Sequence, residues 1–159
     1  MVSAGYAAHM APRSDLQSDE SQRLLAAFGE RGNCALATIG RSGRPHITNI
    51  SYAFDQATAT FRISLTDSRV KTRNLRRDPR AGLYITAADR WPYTVADGVG
   101  ELSPVASDPF DATVEALIDV YREVSGKEHP DWDDYRRAMV ADRRLVLTVR
   151  VDHVYGMPA

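Results

Sequence analysis

The sequence is poor in cysteine and has no long apolar run, and each absence excludes a class of protein. The single cysteine among 159 residues, Cys34, excludes an intramolecular disulfide and a multi-cysteine metal site. Because Cys34 lies in an apolar run, we expect a buried thiol rather than a reactive one. No apolar run approaches the roughly 18 residues of a membrane-spanning helix, and the N-terminus lacks the basic and apolar regions of a secretion signal. These features predict a cytoplasmic protein with no membrane span.

Familiar catalytic and metal-binding motifs are also absent. The sequence contains no Gly-x-Ser-x-Gly elbow, no His-Glu-x-x-His, no Walker loop and no Gly-x-Gly-x-x-Gly. The four histidines share no metal-ligand spacing: His9, His46, His129 and His153. The acidic run at 131–134 is better explained as charge at a helix N-terminus, so we predict no metal site. The formal net charge of -1 argues against a nucleic-acid partner.

The basic residues are concentrated in one segment. Only two of the twenty basic residues are lysines, and six of the twenty fall within 69–80. Residues 66–68 are of N-cap type and an Asp-Pro pair follows, so the segment predicts a short helix over about 68–78. The free N–H groups of its first turn, together with Arg69 and Lys71, form a candidate anion site suited to phosphate. A solvated basic face is the alternative interpretation.

The periodicity of the chain predicts more strands than helices. Alternating or apolar segments predict six strands, at 33–40, 45–54, 58–65, 81–86, 91–101 and 144–151. Helical spacing predicts peripheral helices over 18–30, from the Asp-Pro pair at 108–109, and over 131–140. Since most strands have only short turns between them, we predict a mainly β (α+β) fold, a six-stranded antiparallel barrel that is closed or split. One domain is expected over 18–159, after a flexible tail or cloning remnant at 1–17.

Several motifs resemble the pyridoxamine-phosphate-oxidase-like split β-barrel family. Its phosphate-binding segment resembles Ser68-Arg69-x-Lys71 followed by Leu75 and Asp78-Pro79-Arg80-Ala81, and its opening strands resemble Ala37-Thr38-Ile39-x-x-x-Gly43-Arg44-Pro45. Three runs are more similar to the actinobacterial B-type branch of flavin/deazaflavin oxidoreductases: 71–79, 132–136 and 153–156. That branch uses coenzyme F420, a phosphate-bearing deazaflavin with an acidic polyglutamate tail. The resemblance extends from about residue 24 to residue 158.

The resemblance implies an FMN-binding type of split barrel and a homodimer with its sites at the subunit interface. The family's phosphate contacts would fall on Arg69 and Lys71, with Asn74 nearby on the helix. The positions that line the ring system would fall on Pro45, His46, Thr48, Ser64 and Leu65, and the aromatic positions that border the cleft would fall on Trp91 and Tyr93. One position departs from the family pattern. Relatives that use FMN place an arginine in the second strand where this chain has Thr48, which favours the deazaflavin.

The implied function is that of an F420-dependent oxidoreductase. It would transfer a hydride between the deazaflavin and a conjugated small molecule of the quinone, tetrapyrrole or enone type. The acidic tail would contact Arg73, Arg76 and Arg77 if these side chains face the groove. The catalytic residues stay unassigned, because Tyr52, His46 and solvent are alternative proton donors. Two other functions remain open: an FMN-dependent oxidase of the pyridoxamine-phosphate-oxidase type, and a non-catalytic protein that binds or sequesters F420.

Overall fold

A computed structural model describes residues 15–88 and 91–158. The strands are β1 (Arg31–Ile39), β2 (Pro45–Asp55), β3 (Thr60–Thr66), β4 (Arg80–Thr86), β5 (Tyr93–Leu102) and β6 (Arg144–Met157). The helices are α1 (Asp19–Ala26), α2 (Val70–Arg77), α3 (Ala112–Ser125) and α4 (Trp132–Ala141). Within the described ranges, no helix is long and apolar enough to cross a membrane. The predicted tail at 1–17 lies outside these ranges except for residues 15–17, and the single domain over 18–159 stays a prediction.

The six strands close into an antiparallel barrel in the order β1-β2-β3-β6-β5-β4. This confirms the predicted mainly β barrel with peripheral helices. Alternate residues of each strand point inward, and Phe61 of β3 is fully buried at the centre of the core. The Phe61 ring contacts the rings of Phe28, Tyr52 and Phe54 at centroid distances of 4.9, 5.3 and 4.3 Å. Cys34 is buried as predicted, and burial raises the pKa of its thiol to about 12.

The barrel wall opens between β2 and β3. β2 pairs with β1 from Pro45 to Ala53, but it pairs with β3 only over 53–55 against 60–62. β3 itself continues to pair with β6 as far as Thr66. Because the β2–β3 ladder stops early, the remaining residues of the two strands border a gap rather than a continuous sheet. This gap is the split of the barrel.

Helix α2 connects β3 to β4 and is fastened to the barrel by buried polar contacts. The Thr72 hydroxyl donates to the Thr66 carbonyl at 2.8 Å, and the Asn74 amide donates to the Thr38 hydroxyl of β1 at 3.0 Å. Leu75 is buried in the barrel core. These contacts fix the side of α2 that faces the barrel, and they therefore fix the direction of its basic side chains.

The predicted N-caps of two helices are wrong. The N-cap residue of α2 is Arg69 rather than a residue at 66–68, and no side chain caps this helix. The carboxylate of Asp67 is instead engaged by the guanidinium groups of Arg76 and Arg143. The N-cap of α3 is Asp111 rather than Asp108, and its carboxylate accepts a hydrogen bond from the Val114 backbone at 2.8 Å. Apart from the end of β6, the predicted strand and helix positions are otherwise correct to within a few residues at their ends.

Strand β6 extends six residues beyond its predicted end at 151. The segment 153–156, which was expected to lead out of the strand, pairs with β5 from His153 opposite Asp97 onwards. β5 is irregular at one point, where its pairing with β6 shifts in register between Asp97 and Gly98. Gly98 permits this close pairing because a Cβ atom there would lie 2.2 Å from the Arg150 carbonyl oxygen.

Candidate functional site

A groove with a volume of about 420 Å³ lies over the split between β2 and β3, and we call it the split groove. Strand side chains supply its polar floor: Asn49, Ser51, Ser64 and Thr66. Helices α3 and α4 supply an apolar wall that includes Tyr121, Val124, Tyr135 and Met139. Three cationic side chains also line it: Arg69, Lys71 and Arg144. The described lining residues include no carboxylate, so the split groove attracts anions.

Arg69 and Lys71 are available to a ligand in the split groove. The Arg69 guanidinium makes no hydrogen bond or ion pair with the residues that the structure describes. The Lys71 ammonium donates one hydrogen bond, at 2.9 Å, to the hydroxyl of Thr48 on β2. Partial burial lowers the pKa of Lys71, and the nearby charges of Arg69 and Arg144 lower it further. An anion bound beside Lys71 would offset this repulsion and stabilise its charged form.

The other basic side chains of α2 point elsewhere. Arg76 is paired with Asp67, and Arg73 donates to the backbone carbonyl of Ser68. Arg77 donates to the carbonyl of Ile39 at 2.9 Å and to the amide oxygen of Asn74 at 3.1 Å. None of the three lines the split groove.

A second basic groove lies on the other side of α2, with a volume of about 500 Å³, and we call it the arginine groove. Arg41 and Arg44 from the β1–β2 turn face it together with Arg73 and Arg77 of α2. As in the split groove, the described lining residues include no carboxylate. The Nδ1 atom of His46, which also lines this groove, is buried and has no hydrogen-bond partner among the described residues.

The predicted site residues fall into three places. Arg69, Lys71, Ser64 and Leu65 line the split groove, and Thr48 is bonded to Lys71 there. Pro45, His46 and Asn74 line the arginine groove. Trp91 and Tyr93 lie at the start of β5, whose neighbours are β4 and β6, and they line neither groove. Within the described residues of the chain, therefore, the two aromatic residues are not brought together with the cations.

Asn74 and Tyr52 are occupied by the fold itself. Both ends of the Asn74 amide are used, since its NH₂ donates to Thr38 and its oxygen accepts from Arg77. The Tyr52 hydroxyl donates to the Phe28 carbonyl at 2.8 Å inside the core, and burial raises its pKa to about 12. A phenol that is buried in this way is a poor proton donor to a ligand in either groove.

Sequence reasoning missed three arginines of the two grooves: Arg41, Arg44 and Arg144. Arg41 and Arg44 belong to the turn between β1 and β2. Arg144 is separated from Arg69 by 75 residues of sequence (144 minus 69), and only the pairing of β3 with β6 brings it to the site. The signal that could have found Arg41 and Arg44 is the presence of two arginines in the four-residue turn between the predicted strands 33–40 and 45–54.

A six-stranded antiparallel barrel with an anion groove at its split defines a split-barrel protein of the type that binds flavin-type cofactors. The family model described as pyridoxamine 5'-phosphate oxidase matches residues 20–157. The chain therefore belongs to the pyridoxamine 5'-phosphate oxidase family, which is related to oxidoreductases, and the resemblance found in the sequence is confirmed.

Solved structures share the fold at low sequence identity. An F420 reductase is 22% identical, with a TM-score of 0.58, and the match covers 82% of this chain and 94% of that one. The conserved hypothetical protein Rv2991 from Mycobacterium tuberculosis is 22% identical, with a TM-score of 0.66 and coverage of 94% and 90%. A heme binding protein from Mycobacterium smegmatis is 21% identical, with a TM-score of 0.59 and coverage of 86% and 52%. At these identities the likeness establishes the fold alone, and the names differ in the ligand they mention.

Proposed function

We propose that this protein is an F420-dependent oxidoreductase that transfers a hydride between the deazaflavin and a conjugated small molecule of the quinone, tetrapyrrole or enone type. Arg69 and Lys71 bind the phosphate of the cofactor in the split groove. The acceptor lies beside the ring system, against the wall that α3 and α4 provide. The F420 reductase among the structural neighbours is consistent with this choice of cofactor.

The observation that carries the proposal is the pair of acid-free basic grooves on the two sides of α2. A phosphate with its ring system would occupy only the split groove. The arginine groove matches a ligand that carries further carboxylates, since arginine binds carboxylates through two parallel hydrogen bonds. F420 has both a phosphate and a polyglutamate tail, whereas FMN has no tail. The tail contacts therefore fall on Arg73 and Arg77 with Arg41 and Arg44, and Arg76 is left out because Asp67 already pairs with it.

The contact between Lys71 and Thr48 also supports the deazaflavin. The hydroxyl of Thr48 accepts a hydrogen bond from the Lys71 ammonium, so Thr48 lies next to the proposed phosphate site. An arginine in place of Thr48 would add a positive charge against Lys71 and suit a phosphate monoester, which carries up to two charges near neutral pH. The threonine leaves fewer cations there, which suits the single charge of a phosphodiester such as that of F420.

The chemistry would come from the cofactor, which supplies and accepts the hydride when bound. The chain's own residues bind, orient and exclude water. Arg69 and Lys71 fix the phosphate end, and the apolar side chains of Tyr121, Tyr135 and Met139 cover the opposite side of the split groove. This wall keeps water away from a reactive ring. Solvent is the proton donor that fits best, because Tyr52 is buried and His46 lines the other groove.

The first test of the proposed function is a fluorescence titration of the purified protein with F420 and with FMN. We expect F420 to bind at micromolar concentrations or below and FMN to bind at least about tenfold more weakly, about 1.4 kcal/mol. Thr48→Arg should reduce the ratio of F420 affinity to FMN affinity, because it adds the arginine that FMN-using relatives have at this position. Thr58→Arg adds the same charge at an exposed turn and should leave the ratio unchanged.

Three results would change the conclusion. Absence of F420 binding at micromolar concentrations would contradict the proposed function. A yellow protein that purifies with a flavin absorption band would favour the FMN-dependent oxidase. Tight binding of reduced F420 without turnover of any enone or quinone would favour a non-catalytic F420-binding protein.

The proposed active form is a homodimer whose sites lie at the subunit interface. The outer face of β4, β5 and β6 exposes large apolar side chains, among them Tyr84 and Tyr155, and Trp91, just before β5, is 75% exposed. The ring of Tyr93 stacks on that of Tyr84 at 6.0 Å on the same face. Because Trp91 and Tyr93 line neither groove of their own protomer, they would border a cofactor only if that cofactor is bound by a second copy.

Light scattering tests the dimer. We expect a mass of twice the 17.6 kDa chain, because a continuous apolar face of this kind is usually covered in solution. Tyr84→Arg places a charge on this face and should lower the mass to that of one chain. Phe110→Arg, which changes an exposed side chain outside this face, should leave the dimer intact. A wild-type protein with the mass of one chain would contradict the dimer.

A further inference from the structure

Arg144 begins β6 and directs its guanidinium into the split groove. It lies opposite Thr66 in the β3–β6 ladder. Its Nε atom donates to the Ser64 hydroxyl at 3.2 Å, and its Nη1 atom donates to the Thr66 hydroxyl at 3.0 Å. Both partners are neutral, and no carboxylate of the described residues pairs with Arg144. Its remaining nitrogen, Nη2, makes no hydrogen bond within the same residues.

Two other arginines near Arg144 are each paired with a carboxylate. Arg143 is paired with Asp67 at 2.8 Å, and Arg150, on the same strand, is paired with Glu101 at 2.7 Å. Arg144 is half-buried, and a half-buried guanidinium loses hydration that a counter-ion normally offsets. The fold therefore holds a costly charge at this point, and two hydroxyls keep it in a fixed direction.

Arg144 and Arg69 are anchored to the same residue. The backbone N–H of Arg69 donates to the Thr66 carbonyl at 3.2 Å, while Arg144 donates to the Thr66 hydroxyl. Lys71 approaches from the other side of the split, where Thr48 of β2 holds it. Three like charges thus border one groove from two chain segments, the start of α2 and the start of β6. An anion that lies between them would offset their mutual repulsion.

We propose that Arg144 is the third cation of the phosphate site and binds the ligand's phosphate from the β3 side of the split groove, facing Lys71 on the β2 side. Two hydroxyls position its guanidinium, and the free Nη2 atom donates to a phosphate oxygen. The identity of the ligand rests on the proposed function, but the anion site itself does not. The ligand class is a phosphate ester of a small molecule.

Cofactor titration tests the role of Arg144. Arg144→Gln should weaken F420 binding by about tenfold or more, as expected for the loss of one charge-assisted hydrogen bond. The same variant should bind the corresponding deazaflavin that has the ribityl chain but no phosphate as the wild type does. Arg150→Gln removes the same charge from the same strand outside the groove and should leave both affinities unchanged. Unchanged F420 affinity in Arg144→Gln, or an equal loss for the two ligands, would overturn the proposal.

A second measurement needs no cofactor. The chain has only two lysines, Lys71 and Lys127, so the ε-methylene signals of both can be followed by NMR. Arg144→Gln should raise the pKa of Lys71 by removing a neighbouring charge, and Arg150→Gln should not. Inorganic phosphate should shift the Lys71 signal of the wild type at concentrations that leave Arg144→Gln unaffected. If phosphate shifts the Lys71 signal equally in the wild type and in Arg144→Gln, Arg144 is not the third cation of the site, even if the wild type binds F420. If the wild type binds no cofactor but these shifts occur, the proposed function fails and the anion site stands.

Discussion

The double variant Arg69→Ala/Lys71→Ala should bind F420 at least about 100-fold more weakly than the wild type. Each substitution removes a charged donor, and hydrogen bonds to charged groups contribute about 1.5–3 kcal/mol each. The two side chains line the split groove, and the Arg69 guanidinium makes no hydrogen bond or ion pair with the described residues that its removal would break. Their loss should therefore act on the ligand more than on the fold. Fluorescence titration of purified protein gives the affinity directly.

The matched control is Lys127→Ala/Arg137→Ala. It removes one lysine and one arginine that are exposed and line neither groove. The control keeps the net charge of the double variant, so any difference between the two reports position rather than charge. A loss of less than about tenfold in the first variant, or 1.4 kcal/mol, would contradict the assignment of the phosphate site.

Phe61→Ala should lower the free energy of unfolding by about 3–5 kcal/mol. The Phe61 ring is fully buried and lies among Phe28, Tyr52 and Phe54, so its removal leaves a cavity enclosed by side chains from β2 and from the segment between α1 and β1. Domains are usually stable by only about 5–15 kcal/mol, and the variant should lose a large part of this margin. Urea denaturation followed by circular dichroism measures the change.

Phe110→Ala is the control for the core substitution. Phe110 is 72% exposed and contacts Arg136 only through a cation–π contact at 5.0 Å. Its removal should cost at most about 1 kcal/mol. Similar losses for Phe61→Ala and Phe110→Ala would mean that Phe61 is not at the centre of the core.

Local signals were sufficient for most of the fold. The alternation of 45–54 and the apolar run at 144–151 predicted strands that the structure contains. Gly43 lies in the short turn between the first two predicted strands, and its φ of +79° is one that glycine adopts without strain. The extent of β6 could not be predicted in this way. Residues 152–157 have no strong apolar alternation, and they are extended because β5 lies beside them.

The candidate site also contains some residues that local sequence predicts and one that only the strand pairing brings there. Arg69 and Lys71 could be found from sequence because they lie within one short helix. Arg144 joins them only through the β3–β6 register, which a single sequence does not specify. The N-cap of α2 could not be predicted for a similar reason. Asp67 is a residue type that caps helices, but its carboxylate pairs with Arg76 and with Arg143, which lies on a distant segment of the chain.

The early end of the β2–β3 ladder makes the floor of the split groove tolerant of amino-acid substitutions. The split groove arises from missing strand pairs and not from a hollow in the core, so its floor residues, such as Asn49 and Ser51, carry little of the packing energy. Substitutions there should alter which acceptor is bound while leaving the melting temperature nearly constant. Laboratory evolution of new substrate preferences can therefore introduce substitutions at the groove floor without first introducing stabilising mutations elsewhere.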